Sequence, residues 1–374
     1  LLVDDGGWIK TEKGLGVRHL LIKFSIWSGM LLGFPLLGIV LADYPVLRYL
    51  EFPPKTSYVI HAPFSWIAFM IYSLLITAVI LPLFIQAIKG IYGSSTPFAN
   101  QRRFPWWGWC GLFTGSVFWI LAWTRFSWFT TFQPHTFAPL WGSYILVINA
   151  LSYRKTGHCM MLDRPRFFLL LFPISAVFWW FFEYLNRFVQ NWQYTGIHYP
   201  PWQYFGFASL SFSTVLPAVL GTREWILSAT WIDKCFGKFL FLKCAYPRVL
   251  SGVFLIISAS GLAGIGVWPD YLFPLIWISP LIIIVAVQVL WNETHILSDI
   301  PLGDWRFVIS AALAALVCGL FWEMWNYYSL AKWEYSVPFV NRFQIFEMPV
   351  LGFAGYFPFG LECAIIGKLL EKVK

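Results

Sequence analysis

Trp322-Glu323-Met324-Trp325-Asn326, followed by Trp333-Glu334-Tyr335 and later by Pro358, has a second version earlier in the chain: Phe182-Glu183-Tyr184-Leu185-Asn186, then Trp192-Gln193-Tyr194 and Pro217. Glu-to-Asn spacing is three in both and Tyr-to-Pro spacing is twenty-three in both, while Asn-to-Trp differs by one residue. Each Glu and Asn lies in an apolar, aromatic run. Phe and Trp are common in this chain, but Glu is rare, so matched Glu-x-x-Asn pairs mark a duplication rather than a coincidence of composition. A carboxylate inside a membrane is costly and is kept for a partner or a task.

The surroundings of the two pairs give the fold class. Hydrophobic residues make up 59% of the 374 positions, aromatic residues 21% and charged residues only 12%, with a mean hydropathy of +0.65. That composition excludes an ordinary soluble domain. Apolar runs of about 20 residues, each able to cross a hydrocarbon core roughly 30 Å thick, recur along the chain. Ten are predicted, near 18–42, 60–88, 106–124, 135–153, 167–188, 202–221, 249–267, 271–291, 306–329 and 346–370. The expected fold is all-α, a polytopic transmembrane helix bundle. The first apolar run follows Lys10, Lys13 and Arg18 and reads as a true span rather than a cleavable signal peptide.

The net charge of +8 reads as topology. With the N-terminus in the cytoplasm, six of the 26 Lys and Arg residues fall outside: Arg48, Lys55, Arg125, Arg187, Lys332 and Arg342. The rest, including Arg102, Arg103, Arg154, Lys155, Arg164, Arg166, Lys234, Lys238, Lys243, Lys368 and Lys374, fall inside. The positive-inside rule then places both termini in the cytoplasm of a bacterial-type inner membrane, which requires an even number of spans. Charges accounted for in this way do not point to nucleic acid. Of the six cysteines, none falls outside, where a disulfide would persist, and no CxxC occurs.

The duplication extends upstream. Phe137-Ala-Pro139-Leu140-Trp141 starts one span and Phe273-Pro274-Leu275-Ile276-Trp277 starts another. Four domains follow: an N-terminal segment with two spans (1–105), a four-span unit (106–221), a basic cytoplasmic linker (222–248) and a second four-span unit (249–374). Four is even, so the units share one orientation, a parallel four-plus-four repeat about an axis along the membrane normal.

On a helix, residues i and i+3 share a face. Glu183 and Asn186 therefore point one way, as do Glu323 and Asn326, at the outer ends of their spans. Two such faces converging in one pocket rimmed by Trp192, Tyr194, Trp333 and Tyr335 form a substrate-binding site. There Glu183 and Glu323 are the candidate acid and base, and aromatic faces stabilise a cation between them. Glu347, in Phe346-Glu347-Met348-Pro349, sits near the outer end and is a third catalytic candidate joining Glu323. Glu362 lies deeper, where a proton relay and a structural partner are both open readings. The plain alternative for the pairs is hydrogen bonding to helix partners, with Arg187 as the counter-ion of Glu183, and for the Trp and Tyr residues it is interfacial anchoring.

The remaining signals are bland. His61 and His135 are isolated at outer span ends, and Glu293-Thr294-His295 with Asp299 reads as a solvated inner loop, so no metal site is assigned and no cofactor is specified. Gly261, Gly264 and Gly266, and the pairs Gly29/Gly33 and Gly111/Gly115, read as close helix packing.

At the repeat the chain resembles uncharacterised polytopic bacterial inner-membrane proteins. More distantly it resembles the heterodimeric or fused membrane lycopene cyclases, in which each unit carries an acidic helix end, a Trp-x-aromatic element and then a Pro-x-Glu-Glu sequence. Glu323, Trp333-x-Tyr335 and Glu347-Met348-Pro349 resemble that order, and Glu183 with Trp192-x-Tyr194 resembles part of it. Neither copy has Pro-x-Glu-Glu, and the units here have four spans rather than three. The resemblance implies acid/base cyclisation of a polyene. Three classes stay open at this point: a membrane enzyme acting on an isoprenoid or other lipid, with membrane lipids as its partners; a non-catalytic subunit of a larger respiratory, electron-transfer or pigment complex, with protein partners; and a proton-coupled transporter. The inner halves of the Glu-bearing spans offer few polar residues for an aqueous path, which places transport last.

Overall fold

The computed structural model describes residues 12–54, 59–92 and 102–371, so Lys55 and Lys374 of the charge count lie outside the described residues. It is about 72% helical with almost no sheet. The long helices are α1 (Glu12–Leu41), α2 (Trp66–Tyr92), α3 (Trp106–Trp123), α4 (Phe137–Thr156), α5 (Pro165–Val189), α6 (Pro201–Phe212), α7 (Val215–Leu227), α8 (Pro247–Gly264), α9 (Leu275–Leu290), α10 (Arg306–Tyr327) and α11 (Tyr356–Glu371). Each of the ten apolar runs is helical over most of its length, the second from Trp66 and the last, after a short strand and a 3-10 segment, from Tyr356. Seven stretches are long and apolar enough to cross a membrane: Leu21–Leu41, Trp66–Gly90, Pro165–Val189, Pro201–Leu227, Pro247–Gly264, Arg306–Tyr327 and Val350–Glu371. The α9 helix is apolar but has only 16 residues. The α3 and α4 helices fall outside the seven, α3 being rich in Trp and Gly and α4 carrying Asn149, Arg154 and Lys155.

The helices pack in a pattern that occurs twice. The α3 helix packs on α4, α4 on α7 and α5 on both α6 and α7; likewise α8 packs on α9, α9 on α11 and α10 on α11. Contact between α7 and α10 joins the two groups. The α10 stretch and the α6–α7 stretch are half buried or more, whereas none of the α2 span is. The α2 helix is therefore peripheral, tied to the Thr230–Phe236 turn by Gln86, whose Nε2 donates to the Cys235 carbonyl at 2.7 Å. Interior prolines (Pro35, Pro82, Pro173, Pro280) sit inside these helices, as buried membrane helices tolerate.

Glycine packing follows the expectation in part. Gly111 and Gly115 approach Ser143 of α4. Gly29 and Gly33 meet nothing within 4 Å, a correction to their reading as a packing pair. The close approach of α1 is one turn further on: a Cβ at Gly38 would lie 1.6 Å from the Ala263 carbonyl oxygen of α8, so only glycine lets the two backbones touch.

The little sheet present lies at the Glu-bearing ends of α5 and α10. Strands β1 (Trp192–Thr195) and β2 (Lys332–Tyr335) pair antiparallel, Trp192 opposite Tyr335 and Tyr194 opposite Trp333. Exchanging the two motifs reproduces the same register, as in an isologous contact. A second small ribbon, β3 (Gln344–Ile345) with β4 (Met348–Pro349), turns at Phe346 and Glu347.

Candidate functional site

Both Glu-x-x-Asn pairs sit on the last turns of long helices, Glu183 and Asn186 on α5, Glu323 and Asn326 on α10, and all four are at most 1% exposed. The α5 helix stops where Gln190 takes a left-handed conformation (φ 53°) and its N–H closes on the Asn186 carbonyl at 2.7 Å. The chain then doubles back, and the Asn side chain catches it. Asn186 Nδ2 donates to the Trp192 carbonyl at 2.8 Å, and its Oδ1 accepts from the Asn191 N–H at 2.8 Å. Asn326 Nδ2 donates to the Trp333 carbonyl at 2.7 Å, and its Oδ1 accepts from the Trp333 N–H at 2.9 Å. The second loop is one residue longer, which explains the unequal Asn-to-Trp spacing: the same amide grips the same Trp backbone.

With the strand anchored, its two-residue period aims alternate side chains at one point. Glu183 Oε1 accepts from Tyr194 OH at 2.6 Å, Trp192 Nε1 at 3.1 Å and Trp179 Nε1 at 3.1 Å. Glu323 Oε1 accepts from Tyr335 OH at 2.7 Å and Tyr356 OH at 2.7 Å, while Trp333 Nε1 donates to the Tyr335 hydroxyl at 2.8 Å. Burial, and then the adjacent Glu183, push the Tyr194 phenol well above its ordinary range. Burial, and then Glu323, do the same to Tyr335. Both phenols thus stay protonated and remain donors. In each carboxylate the second oxygen, Oε2, is buried with no hydrogen-bond partner.

An aromatic cluster separates the two carboxylates. Trp277 stacks on Phe182 (5.0 Å between centroids), and Trp141 packs on Trp322 (4.9 Å). Each repeated upstream Trp therefore covers the residue preceding the Glu of the other motif. Phe359 lies among Phe182, Trp179 and Trp322. Such ring pairs contribute about 0.5–1.5 kcal/mol each beyond the area they bury.

The sequence-derived candidates divide accordingly. Glu183, Trp192, Tyr194 and Asn186 come together, as do Glu323, Tyr335, Trp333 and Asn326. Glu347 does not join Glu323 by contact: it sits at the β3–β4 turn, paired with Lys332 Nζ at 2.7 Å. Arg187 makes no ion pair with Glu183 among the described residues. Its Nη1 donates to the Tyr49 carbonyl at 2.9 Å, and it acts on Glu183 only through its field. Glu293, in the loop between α9 and α10, pairs with Lys23 of α1 at 2.7 Å.

Three members of the site escaped the sequence reading: Trp179, Tyr356 and Gly319. Trp179 and Gly319 each lie four residues before a Glu, on its face, a spacing that could have flagged them. Tyr356 lies two residues before the repeated Pro358.

Two open surface grooves lie elsewhere. One is a groove of about 400 Å³ lined by Ser116, Trp119, Ile120, Trp123 and Thr124 of α3. The other, about 380 Å³, lies over Leu47, Arg48, Leu50 and Glu51. Trp119 of the first touches Trp325 (6.4 Å), which in turn packs on Trp141 (5.2 Å). The groove is thus two rings from the cluster between the carboxylates.

No protein-family model, curated protein or solved structure matches this chain. Its seven apolar helices make it an integral membrane protein of several passes.

Proposed function

We propose that this protein holds an isoprenoid or other lipid-like molecule at the outer-level aromatic and carboxylate cluster and acts on it by acid/base chemistry of the cyclase or isomerase kind, with Glu183 and Glu323 as the acid/base pair. The observation that carries this reading is the matched state of the two carboxylates: each is fully buried, held at Oε1 by aromatic donors (Tyr194, Trp192 and Trp179 at Glu183, Tyr335 and Tyr356 at Glu323), and left with an unpartnered Oε2. A proton carried by one such oxygen can be delivered to an alkene, and the other can take one back. Ring faces supply the stabilisation that a carbocation needs in between. The order of Glu, Trp-x-Tyr and acidic turn resembles the membrane lycopene cyclases, and on that resemblance the substrate class proposed is a polyene. The topology that goes with it has ten spans in a bacterial-type inner membrane, both termini cytoplasmic. Residues 1–105 supply two spans, and four-span units at 106–221 and 249–374 flank a basic linker at 222–248. The repeated helix packing and the self-consistent β1–β2 register support that duplication.

The test uses the full chain in lipid nanodiscs, supplied with linear polyenes and scored for product. Glu183→Gln and Glu323→Gln are expected to abolish turnover while leaving the amount of folded protein unchanged. Turnover by both variants at the wild-type rate, or losses of activity that track losses of folded protein, would sink the acid/base role.

One observation favours a second reading. The Asn, Trp and Tyr groups are engaged with one another, and the open cavities lie elsewhere, as in a non-catalytic subunit of a larger membrane complex whose clamps are structural. Native mass spectrometry of gently extracted protein separates the two: stoichiometric partner chains favour the subunit, and a single chain carrying a polyene favours the enzyme.

A further inference from the structure

Glu362 is a third buried carboxyl, used by neither reading above. It lies on α11 at 2% exposure, and neither of its oxygens has a hydrogen-bond partner. Its helix packs on α9, whose hydrogen-bond ladder is interrupted at Pro280. Proline has no N–H, so that turn of α9 is short of one donor. A carboxylate there would face an uncompensated burial penalty, whereas a carboxylic acid is neutral and brings an O–H donor to a turn that lacks one. Four residues after the repeated proline the chain has Glu362 in one motif and Gly221 in the other.

We propose that the Glu362 carboxyl is a proton-binding site in the membrane interior. The surrounding helices supply nothing that would replace the proton. The α9 helix has no titratable side chain. The α10 helix carries Arg306, Cys318, Glu323 and Tyr327, α7 carries Arg223 and Glu224, and α5 carries Arg166, Glu183, Tyr184 and Arg187. On α11 itself the other titratable side chains are Tyr356, Cys363, Lys368 and Glu371; Tyr356 is bonded to Glu323, Lys368 lies over Phe307 and Glu371 pairs with Arg164. Arg223 lies over Phe307 at 4.1 Å, and Glu224 is paired with Arg164 at 3.3 Å, so neither is directed to Glu362. Among the described residues no group of three His, Cys, Asp or Glu side chains could hold a metal ion, which suits the site to a proton rather than a cation.

Infrared difference spectroscopy of the full chain in nanodiscs tests this, as wild type minus Glu362→Gln across a pH series. The expected result is a carboxylic-acid carbonyl band present in wild type at neutral pH, absent from the variant, and lost reversibly as the pH is raised. Absence of that band, or a band unchanged throughout the range where the protein stays folded, overturns the proposal. If Glu362→Gln does not fold, Glu362→Asp serves instead: its band must move, not persist unchanged. Labelling of the Glu362 peptide by a lipid-soluble carbodiimide that falls at alkaline pH is the site-specific counterpart.

Discussion

The two carboxylate clamps use the same motif and reach the same end by different routes. At the first, the residue one turn before the Glu is Trp179, whose indole reaches along its own helix to Glu183. At the second, that position is Gly319, and the room is taken by the ring of Tyr356 from another helix: a Cβ at Gly319 would lie 2.4 Å from that ring. Val215 stands where the first motif would place a matching Tyr, two residues before Pro217. A large group on the same helix has thus been exchanged for a small residue and a large group on a neighbour. Each carboxylate keeps an aromatic donor. The first clamp is closed within α5 and β1, while the second needs α11 to be docked. The comparison teaches that the invariant is the filled, donor-bearing space around Oε1 rather than any one side chain outside the motif.

The largest expected effect comes from forcing one solution onto the other. Gly319→Trp should place an indole in the space of the Tyr356 ring and destabilise the fold by more than about 3 kcal/mol, since overpacking of even a few methylenes costs roughly 1–3. Adding Tyr356→Val, which copies the first clamp, should restore part of that loss. Unfolding of the single and double variants in detergent gives the coupling, expected at about 1–3 kcal/mol in favour of the pair. Simple additivity would show that the two positions do not exchange space.

Next in size are the hydroxyl deletions. Tyr335→Phe removes one of two donors to Glu323 and also leaves Trp333 Nε1 without its acceptor. Tyr194→Phe leaves Glu183 with two indole donors. Hydrogen bonds of this kind contribute about 1.5–3 kcal/mol when a charged partner is involved, so the Tyr335 variant should lose the larger amount in the same unfolding assay. Equal losses would mean that donor count does not set the strength of the clamp.

Asn186→Leu and Asn326→Leu should do the same damage at both clamps, about 1–3 kcal/mol each, because each strands the backbone groups of one Trp. A twofold or greater disparity between them would contradict the shared role.

The smallest effect separates the clamps at their rims. Lys332, present only at the second, pairs with Glu347 at 2.7 Å and with Glu334 at 3.3 Å. Burial pulls its ammonium down, but its hydrogen bonds to Glu347 and Glu334 outweigh that and hold it above its ordinary range. A raised lysine contributes stability that is complete below the unfolded value of about 10.4 and is lost as the pH climbs through the folded value. Stability should therefore be flat on this account from neutral pH to about pH 10 and fall beyond it. Lys332→Met should remove that alkaline fall and cost up to about 1 kcal/mol at neutral pH, as half-exposed pairs do.

Much of the site was legible because its parts are local. Glu, Asn, Trp and Tyr sit within fourteen residues of one another in each copy, and helix and strand periods dictate which of them face together. Gly319 and Tyr356 were not legible as partners, because 37 positions separate them and a glycine announces nothing about what fills the space beside it. Glu347 misled for the converse reason. It is near Glu323 in sequence order and acidic, but the β3–β4 turn carries it to the rim, where a lysine holds it. Arg187 is one turn from Glu183, yet the Tyr49 carbonyl of the N-terminal segment draws its guanidinium away.

By itself the sequence determined that this is a membrane bundle of apolar helices and that two Glu-x-x-Asn elements recur in it, because hydrophobic length and residue spacing are properties of the chain alone. Tertiary structure decided the rest. It paired β1 with β2, set Trp141 on Trp322 and Trp277 on Phe182, and chose Tyr356 rather than a helical neighbour to fill the space at Gly319. Those outcomes depend on which surfaces meet when helices pack, and close packing in three dimensions leaves no periodic trace along the chain.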